Sequence, residues 1–424
     1  MGLVKREGHK IVNSLEKADA IIINTCGFIQ SAKEEAIDTI LDTARYKESG
    51  GLKYLVATGC LCQRNGDELY SELPELDAVL GIAHFSELAD VLGQLETGER
   101  ILLNSPTPTQ YLNGSLRILT TPPGSAYLRI TDGCNNRCTY CTIPAIRGNL
   151  RSRSFPDICN EAQKLAGDGI RELVVVAQDT AAYGQDRSQS QGLPDLLIAL
   201  NDIPGLEWIR LMYLHPSHIK DDLIRAISGL DKVIPYLDMP IQHSSDRVLK
   251  AMNRGHDLSY LRELIQKLRS DIDSLVLRTT VMVGFPGETE EYFRELLDFI
   301  DEIKFDWLGS FAYVKEEETA AFGMMDQIYE EIKEERLQQV MQRQAKITRS
   351  KNIARLEKTE KVLISSQMDK NLFVGRTWFQ APEVDGLTLV KSDIKLTRGE
   401  FSPVYLKAVR NMDLIGEAIY ESAQ

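Results

Sequence analysis

Tyr127-Leu128-Arg129-Ile130-Thr131-Asp132-Gly133-Cys134-Asn135-Asn136-Arg137-Cys138-Thr139-Tyr140-Cys141 is the stretch on which the reading of this chain turns. Tyr127 to Ile130 predict a short strand, and the strand runs straight into a C-x3-C-x2-C loop. Three thiolates on one short loop can hold three corners of a 4Fe-4S cube and leave the fourth iron open for a ligand to chelate. An aromatic residue just before the last cysteine, here Tyr140, would shield such a cluster and help set its potential. A zinc knuckle or a set of buried thiols is the alternative reading. Zinc would need a fourth ligand at close spacing, which the loop lacks.

Downstream, strand-like runs recur at Leu173 to Val176, Trp208 to Met212, Tyr236 to Met239, Leu275 to Val283 and around Trp307 to Tyr313. Most are separated by helix-like segments such as Ile158 to Ala166 and Leu258 to Leu268. Six βα units in about 220 residues predict a full or partial βα barrel. Polar residues at the carboxyl ends of barrel strands point into the mouth, and glycines there let backbone N–H groups approach a ligand. Gln178, Gln242 and Gly284 stand at such ends and are candidates for holding a cofactor. Each also reads as a strand-end cap or turn, and Pro286-Gly287 as a tight turn. The six histidines form no HxxxH or HExxH set, and His215 and His218 read as turn polarity or substrate positioning, not as a general base.

Upstream, Ala18 to Ile23, Tyr54 to Ala57 and Ala78 to Leu80 read as buried strands, and Gln30 to Tyr46 has helical spacing. The alternation predicts a parallel, doubly wound α/β sheet. Such sheets place their chemistry at the carboxyl ends of strands, where Cys26 and Cys60 stand. Residues 104–124, with Pro106, Pro108, Pro122 and Pro123, read as a linker. Asp326 is the expected N-cap of a long helix running to about Leu356, and the short apolar runs beyond it, broken by glycines, predict a small β-barrel. The expected organisation is an α/β multidomain chain: 1–103 doubly wound, 104–124 linker, 125–355 βα barrel with a connecting helix, and 356–424 small β-barrel.

No run approaches the roughly 20 apolar residues of a membrane span, and Met1 to Lys10 has no signal-peptide core. The expected location is cytoplasmic, with no membrane. A formal net charge of −13 disfavours a protein that tracks a phosphate backbone and suits a basic macromolecular partner. Seven unevenly spaced cysteines read as metal or redox chemistry sooner than as a disulfide framework.

The cysteine loop after a barrel strand resembles the radical S-adenosylmethionine (SAM) superfamily. That resemblance implies SAM bound to the open iron of the Cys134, Cys138, Cys141 cluster and cleaved reductively to a 5'-deoxyadenosyl radical. Asn24-Thr25-Cys26-Gly27-Phe28 and Thr58-Gly59-Cys60-Leu61 are similar to the two later cysteine motifs of the amino-terminal methylthiotransferase domain. There three cysteines hold an auxiliary 4Fe-4S cluster, and Cys26 and Cys60 map onto two of them. The segment from about residue 357 resembles the TRAM domain that closes these enzymes and grips the substrate.

Pro144 to Gly148, Tyr236 to His243, Gly375-Arg376-Thr377 and Ala381 to Gly386 resemble the branch that methylthiolates the β-carbon of an aspartate in small-subunit ribosomal protein S-twelve. One SAM would methylate sulfur at the auxiliary cluster and a second would give the radical, with flavodoxin or ferredoxin as the kind of electron donor. A radical is needed because the C–H bond is not acidic enough for a side-chain base. From Leu356 onward nine Lys/Arg face ten Asp/Glu, so the substrate-gripping domain has no basic surplus for tRNA. Methylthiolation of a tRNA adenosine is the alternative enzymatic reading.

The family's first glycine-cysteine motif has no counterpart before Cys26, which implies a late start or an altered auxiliary site, with Cys62 as a substitute ligand. It also opens a reading from another class, a non-catalytic iron–sulfur module that binds the ribosomal protein. Cys159, in a helical segment, reads as a buried thiol. Glu316-Glu317-Glu318-Thr319 departs from the branch, which tends to have glycine at the third position.

Overall fold

The structure, a computed structural model, describes residues 1–48, 50–105, 117–188 and 191–420. Pro106 and Pro108 of the predicted linker, and the last four residues of the predicted terminal barrel, lie outside the described residues. The chain forms two compact units. One is Met1–Leu119 with Asp132–Arg151 and Val314–Gly323; the other is Thr120–Thr131 with Ser152–Tyr313 and Met324–Gln424.

The first unit is built on a parallel sheet of β1 (Ala20–Thr25), β2 (Tyr54–Gly59), β3 (Ala78–Leu80) and β4 (Ile101–Leu103), ordered as in the chain. Its helices are α1 (Gly2–Arg6), α2 (Gln30–Glu48), α3 (Cys60–Glu72) and α4 (Leu88–Gln94). Side chains alternate across a strand, so Leu55, Ala57 and Val79 meet Ile40 of α2 and Leu61 and Leu69 of α3. Val56, Ala78 and Leu80 face the other way, onto Val4 of α1 and Val91 and Leu92 of α4. Both faces are covered, as the predicted doubly wound sheet requires. β1 starts two residues later than its apolar run and takes in Asn24 and Thr25, so Cys26 is the first residue past its carboxyl end.

In the second unit β5 (Ser125–Arg129) begins a six-stranded parallel sheet. The chain then passes through β6 (Thr131–Asp132), α5 (Ile143–Arg147) and β7 (Arg151–Ser152), and returns with α6 (Phe155–Gly167) and β8 (Glu172–Val176). Further βα repeats follow: α7 (Leu193–Asn201), β9 (Trp208–Leu211), α8 (Asp221–Gly229), β10 (Val233–Asp238), α9 (Asp246–Ala251), α10 (Leu258–Asp271), β11 (Val276–Val283), α11 (Glu290–Ile303) and β12 (Trp307–Ala312). The sheet order β12-β11-β10-β9-β8-β5 leaves β5 and β12 as edges, which makes the barrel partial. Ser154, Asp257 and Thr289 each accept the N–H three residues on and so cap α6, α10 and α11.

The long helix is α12 (Glu330–Ile353), and Asp326 is not its cap. Asp326 has φ +58 and its carbonyl accepts Gly287 N–H at 3.0 Å, while Tyr329, in extended conformation, precedes the helix. The chain ends in a closed barrel of β13 (Thr359–Asp369), β14 (Leu372–Arg376), β15 (Thr388–Lys391), β16 (Phe401–Arg410) and β17 (Asp413–Ala418), in the order β13-β14-β15-β17-β16. Glycine hid β14 and β17 from periodicity. A Cβ on Gly375 would lie 2.6 Å from Leu363 O, and one on Gly416 2.4 Å from Val404 Cγ1, so the small residue is what lets the strands close. Val174, Trp208, Tyr236 and Trp307 share one core with Val362, Phe373, Phe379 and Leu414, which joins the terminal barrel to the six-stranded sheet.

Candidate active site

The cysteine loop belongs to the first unit, its amino-terminal end is pinned to the chain after α5, and its last turn closes on itself. Cys134 N–H donates to Gly148 O (3.2 Å), Cys141 N–H to Cys138 O (3.1 Å), and Asn135 Oδ1 accepts Leu150 N–H (3.0 Å). Gly133 has φ +72, and a Cβ there would fall 2.2 Å from Asn149 O, so only glycine lets the loop leave the strand. Cys134, Cys138 and Cys141 are all half-buried, as is Tyr140. Among the described residues no three His, Cys, Asp or Glu side chains converge as ligands of one ion. A cubane asks for something different, one thiolate per iron around a shared space, and three cysteines at this spacing on one short loop fit that donor set.

The backbones beside Cys26 and Cys60 lie against each other. A Cβ on Gly27 would come within 2.7 Å of Leu61 Cα and N, and Gly59, at φ +110, within 2.4 Å of Thr25 O. The loop after β1 therefore lies on the first turn of α3. Cys26 is exposed and Cys60 half-buried. Cys62 does not join them, contrary to its predicted role as a substitute ligand. Two residues on in a helix is about 200° around the axis, which turns Cys62 into the core, where its Sγ lies 3.6 Å from Thr25 Oγ1. Burial pushes its thiol up to about 12, the reverse of what a metal ligand needs. The two cysteines thus stand on adjoining backbone segments, and two alone do not fit a cluster held by three cysteines. Cys159 is half-buried in α6, its thiol raised by burial.

Arg147 ties the two cysteine groups together. Its Nη2 donates to Cys60 Sγ at 3.3 Å and its Nη1 to Asp132 Oδ1 at 2.8 Å, two residues before Cys134. Burial disfavours the guanidinium charge, but Asp132 and Cys60 outweigh it and raise the pKa. The sequence offered Arg147 only inside a family-like stretch, because nothing local says which thiol it will meet.

The other candidates lie in the second unit. Gln178, two residues past β8, has a buried Oε1 with no hydrogen-bond partner, an acceptor that a ligand could satisfy. Gln242 is held at φ +70 by Thr280 O, which accepts its N–H (2.9 Å), and by Met282 N–H, which donates to its carbonyl (2.7 Å). Gly284 does not offer its N–H to a ligand as predicted, because Glu288 Oε2 takes it at 2.9 Å. Its glycine is required by φ +71 and by Lys333, whose Cγ would be 2.3 Å from a Cβ. Glu288, in the turn that follows Gly284, is fully buried. It also accepts from Arg336 (2.7 Å) and faces His243 Nε2 at 3.5 Å.

His218 Nδ1 lies 2.6 Å from Asp179, which also accepts His215 N–H at 3.2 Å. Burial and the nearby Arg254 hold His215 down at about 2 and His256 at about 4, so both rings are neutral at physiological pH.

Three family models match: the radical SAM superfamily over residues 128–300, the uncharacterised protein family UPF0004 over 1–81 and the TRAM domain over 358–419. The chain is similar to the ribosomal protein uS12 methylthiotransferase RimO of Syntrophomonas wolfei, 57% identical over 98% of this chain and 95% of that protein. The proteins of that name from Clostridium novyi and Clostridioides difficile are 47% identical (99% of this chain, 94% of that protein) and 44% identical (100% and 95%). Among solved structures, the radical SAM methyltransferase TsrM of Kitasatospora setae aligns at TM-score 0.50 and 14% identity, over 69% of this chain and 61% of that one, a likeness of fold alone. With relatives this similar along its whole length, the chain belongs to the ribosomal protein uS12 methylthiotransferase family of radical SAM enzymes.

Proposed function

We propose that this enzyme methylthiolates the β-carbon of an aspartate in ribosomal protein uS12, and that Cys134, Cys138 and Cys141 carry the radical half of the reaction. The observation that supports this reading most directly is the C-x3-C-x2-C loop that follows the first barrel strand, in a chain 57% identical to a uS12 methylthiotransferase. When bound, a 4Fe-4S cluster with SAM on its open iron supplies the radical that removes hydrogen from a carbon no side-chain base could deprotonate. The three loop cysteines would hold the irons, and Tyr140, half-buried just before Cys141, would shield them. Cys26 and Cys60 are the two ligands this chain offers to a second cluster, with Arg147 beside Cys60. A small electron carrier such as flavodoxin or ferredoxin would supply the reductant.

The test is anaerobic reconstitution followed by reaction with uS12, with small ribosomal subunits and with tRNA. A methylthio mass gain on an aspartate of uS12 is expected; a gain on tRNA adenosine alone, or none on any substrate, would overturn the reading. Cys138→Ala should abolish SAM cleavage and lower the iron content, and retained cleavage would refute the cluster assignment.

A further inference from the structure

We propose that Glu316, clamped by Arg64, is a positioning residue that fixes the register between the Cys26/Cys60 pair and the Cys134–Cys141 loop. This rests on the activity proposed above. All the groups concerned lie in the first unit. The Glu316 side chain is 4% exposed: Oε1 accepts Gln30 N–H at 2.5 Å, and Oε2 lies 3.2 Å from Lys33 Nζ and 3.3 Å from Arg64 Nη1. Arg64, one turn beyond Cys60 in α3, also donates to Gly27 O (3.1 Å), beside Cys26, and to Glu317 O (2.7 Å), and pairs with Glu318 (2.9 Å). Further along the same segment Ala321 N–H donates to Thr139 O at 2.8 Å, inside the cysteine loop. The segment from Glu316 to Ala321 is therefore tied at one end to the chain around Cys26 and Cys60, and at the other to the loop.

A buried ion cluster of this kind adds little stability over apolar side chains of the same size. What it does supply is one arrangement, because each charged group has fixed partners. Reactive groups displaced by about 1 Å can lose about a hundredfold in rate. A slackened clamp should then leave SAM cleavage intact and spoil the step that uses the radical.

The test uses Glu316→Gln, close in shape, and Arg64→Lys, which keeps the charge but loses the fork. In the protein without iron, hydrogen exchange at Gln30 and Ala321 should speed up in both variants. In the reconstituted enzyme, methylthio product on uS12 per 5'-deoxyadenosine formed should fall by about tenfold to about a hundredfold in Glu316→Gln, and less in Arg64→Lys, at an unchanged rate of SAM cleavage. An unchanged ratio, unchanged exchange, or loss of cleavage along with product would each overturn the clamp. A wild-type enzyme that cleaves SAM but leaves uS12 unmodified would instead overturn the activity on which it rests.

Discussion

Gly284 and Gly287 stand three residues apart in one turn, both left-handed at φ +71 and +79, yet only the first is crowded, since nothing lies within 4 Å of a Cβ on Gly287. Strain alone makes Gly287→Ala cost about 1–2 kcal/mol. Gly284→Ala must also move Lys333, a buried side chain whose Nζ donates to Tyr313 O at 2.9 Å, and should cost about 2–4 kcal/mol. Denaturant unfolding of the two variants checks this; equal losses would mean that the Lys333 contact yields freely. At this scale the sequence was legible where spacing carries the chemistry, as in the cysteine loop. It was not legible where a side chain's direction decides the role: Cys62 has the right residue type near the right place and faces the core.

At the scale of elements, the six sheet strands and helices such as α6 and α10 were readable from their apolar period, whereas the one cap read from sequence, Asp326, was misplaced. The terminal barrel was read as a substrate-gripping module, but its residues are also built into the sheet. Glu172, the first residue of β8, is fully buried between Arg210 of β9 (2.9 Å) and Arg376 of β14 (2.5 Å), and accepts Ser125 Oγ–H at 2.9 Å. Asp385, after β14, accepts Tyr236 O–H at 2.7 Å. The stretches that resembled the family branch thus owe part of their residue choice to this junction. Burial alone would raise the Glu172 carboxyl, but Arg376 and Arg210 outweigh it and hold it at about 2. The stability it contributes is therefore present above its ordinary value of 4.5 and lost as pH falls from there toward 2. Glu172→Gln leaves two buried cations short of a partner and should cost about 3–5 kcal/mol at neutral pH. The gap between wild type and variant should narrow as the pH of the unfolding experiment drops through that window; a gap independent of pH would mean that the carboxylate's charge is not what the arginines need.

Over the whole molecule, the division into units could not be read along the chain. Residues 132–151 and 314–323 join the amino-terminal sheet across long separations, through contacts such as Arg147 with Cys60 and Arg64 with Glu316, which leave no periodic signal. Net charge, by contrast, is legible at once and bears on the encounter with the substrate. A chain of charge −13 attracts a basic ribosomal protein at long range, and such steering is screened as the Debye length shrinks from about 10 Å at about 0.1 M salt to about 3 Å at about 1 M. If encounter is steered, kcat/KM for uS12 should fall about tenfold or more between about 0.05 and about 0.5 M salt. SAM cleavage without uS12, driven by a small chemical reductant in place of the electron-carrier protein, involves no charged macromolecular partner and should stay level, which separates screening from damage to the fold or the cluster. A flat kcat/KM would leave the acidity as a matter of solubility alone and shift substrate choice to contacts made after docking.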